Sequence, residues 1–189
     1  CIRREIKIFK LIKKKLSKKN QLFYQSKDWG MGCNSIHFID LFSFLLGSTK
    51  IKPIYINLEK KIYKSKRKGY MEFKGLMKFM IGNSTLTIQD DYSFNKKIFK
   101  IIKEKKNFSF NKKENILVEK NINDKFTKKY ICEEPKVSLV SYKVINKIIN
   151  NKKIDLVSLK ESFLLHKVLI DIFSKHLRNG NFKKKLKIT

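Results

Sequence analysis

The chain has 189 residues, of which 42% are hydrophobic, so it is long enough for one domain with a buried core. Its longest apolar run, residues 36–46, is interrupted by polar side chains and is too short to cross a bilayer, which argues against a membrane protein. The cysteines show no paired or metal-like spacing, which favours reduced thiols in a cytoplasm; they are Cys1, Cys33 and Cys132.

The net charge of +29 has two interpretations. One is a binder of nucleic acid or of acidic surfaces. The other is biased composition, since the chain has 41 lysines but 4 arginines and no alanine, as expected from an AT-rich genome. Nucleic-acid readers favour arginine, whose planar fork binds bases and phosphates bidentately. Because lysine is spread along the whole chain, we expect no specific nucleic-acid partner, and a lysine-rich binding module stays as an alternative.

The first predicted element is an amphipathic helix over residues 5–18. The first residue is Cys1 and not methionine, and the predicted helix begins only a few residues later. We therefore expect further sequence upstream. A short strand is predicted over 21–27, and the glycines between residues 29 and 32 predict a tight loop. A mostly apolar helix then covers 33–46 and ends at Gly47 as its C-cap.

The middle of the chain has short segments rich in Ile, Tyr, Phe and Thr, separated by polar breaks. The predicted strands are 52–62, 70–81, 84–90, 96–103, 106–110 and 115–120. Gly82 and Asn83 fit a hairpin turn between two of them. Because no helix intervenes, the pattern predicts an antiparallel sheet.

Two helices are predicted after the strands. Pro135 opens the first, which continues to Asn150, and Ser158 with Glu161 forms a capping-box spacing ahead of the second, which ends near Arg178. A lysine-rich tail over 183–187 closes the chain as a solvated end or an edge strand. The fold class is therefore α+β: one domain, residues 1–189, with an open, mainly antiparallel sheet and helices packed on one face.

The helix at 33–46 carries the polar residues of greatest interest. Asn34, His37 and Asp40 recur at every third position, so together they span about 120° of the helix surface. A buried polar stripe costs free energy unless it has partners or faces a site. The stripe therefore indicates either a functional site or a histidine and an aspartate that bond each other and nearby backbone.

The string over residues 28–41, DWGMGCNSIHFIDL, resembles a signature of the glucose–fructose oxidoreductase / inositol dehydrogenase family, Gfo/Idh/MocA. In that family a glycine-rich loop leads into a helix with a histidine followed three residues later by an aspartate. Further similarities come in the same order as in the family: the pair Arg3 and Arg4, the pair Glu161 and Ser162 followed by His166, and the last residues 187–189.

The resemblance implies an N-terminal Rossmann domain and a C-terminal α+β domain, with a sugar, sugar nucleotide or cyclitol bound between them. His37 matches the family histidine at the reacting hydroxyl, a role that suits an imidazole because it titrates near neutral pH. Trp29, Cys33, Asn34 and Asp40 would lie on the substrate side. Many members have aspartate where Cys33 stands, so Asn34 is the expected substrate contact of this variant.

The nucleotide-binding features of the family are missing from this sequence. It has neither a G-x-G-x-x-G loop nor the Glu-Lys-Pro motif of the Rossmann domain. We therefore expect NAD or NADP to be bound mainly by a domain outside this chain, and the chain to be inactive without it. The resemblance also implies a role in sugar metabolism such as polysaccharide biosynthesis, and a homo-oligomer formed through the open sheet face.

Several assignments stay open at this point. Trp29 fits a core aromatic and a sugar-stacking wall equally well. His166 fits a structural hydrogen bonder four residues after Ser162, and His176 has no assigned chemistry. Besides the oxidoreductase domain, a non-catalytic oligomerisation module remains an alternative.

Overall fold

A computed structural model describes residues 2–16, 19–104, 106–111, 116–121, 127–131, 137–180 and 187–188. Five features discussed above therefore lie outside the described residues: Cys1, Cys132, Pro135, most of the tail over 183–187, and Thr189. The structural statements below apply to the described residues.

The helices follow the predicted order. A 3-10 turn, Ile2–Glu5, precedes four α-helices: α1 Lys7–Lys15, α2 Met31–Leu46, α3 Val137–Ile149 and α4 Leu159–Asn179. The strands are β1 Asn20–Ser26, β2 Lys52–Leu58, β3 Tyr63–Lys64, β4 Met71–Glu72, β5 Gly75–Ile81, β6 Ser84–Asp90, β7 Ile98–Lys103, β8 Lys106–Asn111, β9 Ile116–Asn121 and β10 Thr127–Ile131.

Eight of these strands form one open sheet in the order β10-β9-β8-β7-β1-β6-β5-β2, and β3 pairs with β4 separately. All neighbours in the large sheet are antiparallel except β1 and β6, which run parallel. After β1 the chain passes through α2 and β2 to β5. Strand β5 runs antiparallel to β6, so β6 has the same direction as β1. The predicted α+β class with an open, mainly antiparallel sheet is confirmed.

The core lies between one face of the sheet and the helices. Tyr24 of β1 stacks on Phe38 of α2 with ring centroids 3.8 Å apart. Phe73, which follows β4, stacks on Phe173 of α4 with ring centroids 4.2 Å apart, and both are buried. Burial of these aromatic pairs removes large apolar surfaces from water and attaches α2 to β1 and α4 to the segment after β4.

Two buried carboxylates tie the outer elements to this core. Burial alone would raise the pKa of Glu119 on β9, but the Tyr130 hydroxyl and the Lys106 and Lys15 ammonium groups lower it to about 2. The pKa of Glu5 is about 2 as well, because bonds from lysine ammonium groups and a backbone N–H outweigh its burial. These networks join α1 to the strands at one end of the sheet, and the 3-10 turn to α3.

The local predictions differ from the structure at several points, among them the predicted strand 70–81, which the structure divides into β4 and β5, and the strand β3, which was not predicted. Helix α2 begins at Met31, so Gly32 belongs to its first turn and not to the predicted tight loop. A side chain at Gly32 would meet Oε2 of Glu72 at 2.8 Å, which explains a glycine inside a helix here. Strand β10 was not predicted, because its segment TKKYI lacks the apolar alternation on which strand prediction depends.

Candidate active site

The loop that leads into α2 is held by the end of β6. The carboxylate of Asp90 accepts hydrogen bonds from the backbone N–H of Asp28 at 2.8 Å and of Trp29 at 3.2 Å. The Trp29 indole donates to the carbonyl of Gln89 at 2.9 Å, and Lys74 forms an ion pair with Asp28. Burial raises the pKa of Asp90, and the two backbone bonds oppose this shift. The loop therefore has a defined position ahead of α2.

The N-terminus of α2 is capped by a side chain from another element. Its N-cap residue, Gly30, has a left-handed backbone (φ 74°) and no side chain to accept the free N–H groups. Glu72 of β4 supplies this function, because its Oε2 accepts from the N–H of Gly32 at 2.6 Å and the carboxylate also bonds the N–H of Cys33. Burial raises the pKa of Glu72, while these backbone bonds lower it.

Three of the predicted substrate-side residues lie at this end of α2. The Asn34 side-chain amide donates to the carbonyls of Trp29 at 2.7 Å and Gly30 at 3.1 Å, so its donors serve the loop. The Trp29 ring packs edge-on against Tyr24 and Phe38, at 4.8 and 5.5 Å, and remains partly exposed. Cys33 is a half-buried free thiol.

Asp40 lies almost two turns further along α2 and is buried. Its carboxylate accepts from Nε of Arg4 at 3.0 and 3.2 Å, and Nη2 of Arg4 lies 2.7 Å from Oδ1. Nη1 of the same Arg4 lies 3.9 Å from Glu161 of the α4 capping box. Asp40 therefore pairs with the arginine that precedes α1.

His37 faces a cavity of about 120 Å³ between α2 and α4. Its polar lining consists of His37 and Asp40 from α2 and of Ser162 and His166 from α4, and its apolar lining consists of Ile36, Val157 and Leu165. Burial lowers the pKa of His37 below 6.5, the positive charge of Arg3 lowers it further, and Asp40 opposes both effects. The imidazole is therefore neutral at pH 7 and can accept a proton.

The cavity contains two side chains that the sequence did not assign to a site. Nδ1 of His166 lies 2.8 Å from the carbonyl oxygen of Ser162 and 3.3 Å from its hydroxyl. The predicted structural hydrogen bond of His166 is thus present, but the ring also lines the cavity opposite His37. The sequence signal for these residues was the motif of Glu161, Ser162 and His166, which resembles the family. Its distance from His37 along the chain gives no indication that the two lie in one cavity.

Two kinds of site were searched for across the described ranges. No cluster of three or more His, Cys, Asp or Glu side chains there could hold a metal ion. None of the helices in these ranges is both long and apolar enough to span a bilayer.

No family model matches the sequence, and no curated protein sequence does either. Solved structures match instead. A dehydrogenase (MviM) from Clostridium difficile aligns over 92% of this chain and 60% of its own, with a TM-score of 0.59 and 15% identity. UDP-N-acetylglucosamine 3-dehydrogenase GnnA from Acidithiobacillus ferrooxidans aligns over 97% and 61%, with a TM-score of 0.54 and 12% identity. A Gfo/Idh/MocA family oxidoreductase from Vibrio cholerae aligns over 95% of this chain and 61% of its own, with a TM-score of 0.59 and 8% identity.

The open, mostly antiparallel sheet with its helices defines a class of α+β domain. The chain has, in particular, the fold of the C-terminal domain of Gfo/Idh/MocA oxidoreductases, which confirms the resemblance at the level of fold. The chain spans about 60% of the length of these three structures. At identities this low the matches show the fold alone, and any inference about activity depends on the residues of the site.

Proposed function

We propose that the chain is the substrate-binding domain of an NAD(P)-dependent oxidoreductase that acts on a CH–OH group of a sugar, sugar nucleotide or cyclitol. The observation that carries the proposal is His37, a neutral imidazole with a lowered pKa at the wall of a cavity. Oxidation of an alcohol requires loss of the hydroxyl proton, and in this proposal His37 accepts it as a general base. One matched structure is a UDP-N-acetylglucosamine 3-dehydrogenase, a chemistry of this kind.

The residues of this chain do not provide a dinucleotide site, because the sequence has no phosphate-binding glycine loop. The hydride acceptor, NAD or NADP, would be supplied by a nucleotide-binding part that lies outside it. The cavity of about 120 Å³ agrees with half of a site, because complete ligand pockets usually measure about 300–1,000 Å³.

The surface beside the cavity also supports the proposal of a nucleotide-binding part that lies outside this chain. Leu159 and Phe163 of α4 are 87% and 65% exposed. With spacings of four and three residues, they share one helix face with His166. Adjacent apolar side chains exposed beside a cavity are typical of an interaction surface. We propose that the nucleotide-binding part covers this face and so closes the cavity over the substrate.

The remaining substrate-side assignments are kept as proposals. Trp29 is partly exposed and can offer a ring edge to a sugar. Asn34 has its side-chain oxygen to offer, since its donors serve the loop. Cys33 is half-buried beside it, and Asp40 lines the cavity although Arg4 holds its carboxylate.

The test is dinucleotide binding by two proteins. The product of the complete reading frame that encodes residues 1–189 is expected to bind NADH or NADPH, with enhanced nicotinamide fluorescence. Residues 1–189 alone are expected to give no change. Absence of binding by the complete product, alone and mixed with its genomic neighbours, would contradict the proposal, and so would tight binding by residues 1–189 alone.

We also propose a homo-oligomer formed through the sheet face that points away from the helices. The edge strand β2 exposes Ile54, Tyr55 and Ile56 to solvent. Such a surface favours association because it leaves apolar area and strand edges in contact with water. Light scattering of the purified protein is expected to give a multiple of the 22.5 kDa chain mass for residues 1–189. A monomer across the accessible concentration range would rule the oligomer out.

A further inference from the structure

We propose that His166 is a second substrate contact, whose Nε2 accepts a hydrogen bond from a hydroxyl other than the one that reacts at His37. This inference rests on the proposed function and deepens it, because it adds a residue from α4 to a site so far built on α2. It also restricts the chemistry of the ligand.

The first step concerns the tautomer of His166. Its Nδ1 lies 2.8 Å from the carbonyl oxygen of Ser162. A carbonyl oxygen can only accept, so the proton of this bond belongs to Nδ1. In the neutral ring Nε2 is then an unprotonated acceptor. Any hydrogen bond from this ring to a ligand in the cavity must use Nε2, because Nδ1 is already engaged.

The second step concerns how firmly the ring is held. The N-terminus of α4 has a complete capping box between Ser158 and Glu161, and Glu161 lies 3.9 Å from the buried Arg4. Leu165, next to His166, is fully buried against the core. The helix turn that carries His166 is therefore anchored on two sides, although the ring itself is exposed. A fixed acceptor loses little freedom when a ligand binds.

The third step separates this site from an ordinary surface histidine. A surface histidine can bond the carbonyl four residues earlier on its helix without lining any cavity. Here the same ring lines a cavity whose other wall carries His37 and Asp40. The structure thus places two imidazoles from different helices around one small volume.

The ligand chemistry follows from the polarity of these groups. His37 accepts the proton of the reacting hydroxyl, and Nε2 of His166 accepts a hydrogen bond from a second one. A group that carries only acceptors, such as a carboxylate or phosphate, finds only the Ser162 hydroxyl as a donor among these lining residues. The cavity therefore suits a part of the ligand that offers two hydroxyl donors, as a sugar ring or cyclitol does. A phosphate or carboxylate of the same ligand would lie outside it.

The tautomer can be tested on residues 1–189 directly. The chain has three histidines, so long-range proton–nitrogen NMR spectra can be assigned with single His→Gln variants. At a pH where the ring is neutral, the Nε2 signal of His166 is expected in the unprotonated range and its Nδ1 in the protonated range. The opposite pattern would overturn the proposal.

The contact is tested in the complete oxidoreductase with its own substrate. His166→Leu, which removes the acceptor, is expected to raise KM about tenfold with kcat largely kept, the loss typical of one hydrogen bond. His166→Gln, which can still accept, is expected to recover most of that loss. His176→Gln is the matched control, because His176 bonds the carbonyl of Glu59 outside the cavity.

The outcomes separate this inference from the proposed function. An unchanged KM in His166→Leu, or a fall in kcat alone, would overturn the role of His166 and leave the oxidoreductase assignment intact. Normal turnover after removal of the His37 imidazole would instead overturn the proposed function on which the inference rests.

Discussion

Asp40→Asn is expected to lower the free energy of unfolding by about 3 kcal/mol, because it leaves the buried Arg4 guanidinium without its counter-charge. The carboxylate accepts from Nε of Arg4 and also lies 2.7 Å from Nη2, an arrangement that an amide cannot reproduce. The loss should appear as a lower denaturant midpoint with an unchanged m-value.

Two further variants make the result specific. Arg4→Met combined with Asp40→Leu is expected to recover most of the stability, since well-packed apolar residues often replace a buried ion pair without loss. Asp171→Asn removes an exposed partner of Lys167 on α4 and is expected to cost less than 0.5 kcal/mol, roughly the value of a surface pair. If Asp40→Asn costs no more than Asp171→Asn, the pair does not hold α2 in place.

The Asp40 result also shows what could be predicted from the sequence. The three-residue spacing correctly placed Asn34, His37 and Asp40 on α2, because helix periodicity is a local property. The capping box at Ser158 was predictable for the same reason. The partners were not, since Arg4 is 36 residues from Asp40 and comes to it through the packing of the 3-10 turn. The stripe was read as one surface, yet each member has a different environment.

The sheet shows the same limit. A hairpin such as β5–β6 follows from the turn at Gly82 and Asn83. The parallel pairing of β1 with β6 joins segments about 64 residues apart, as between Gln21 and Thr85, and no local signal specifies it. It matters for the site, because it puts Asp90 at the end of β6 beside the loop that begins at Asp28. The position of α2 thus depends on tertiary pairing.

His37→Ala in the complete oxidoreductase is expected to lower kcat by about 10²–10⁴-fold, the range for loss of a general base, with the fold retained. The reason is that its imidazole lines the cavity and, in the proposed function, takes the hydroxyl proton. His176→Gln, outside the cavity, is the control and should keep normal turnover. Circular dichroism and unfolding curves would establish that His37→Ala remains folded.

The pH profile gives a second, independent readout of His37. A base must be neutral to act, so kcat/KM should fall as the pH drops through its pKa, which lies below 6.5 in the folded protein. The same sign applies to stability: the unfolded chain binds the proton more tightly, so this contribution is present above pH 6.5 and is lost as the pH falls. Arg3→Gln removes a positive charge that lowers this pKa and should move the acidic limb to higher pH. A limb that stays in place, or full turnover in His37→Ala, would mean that another group takes the proton.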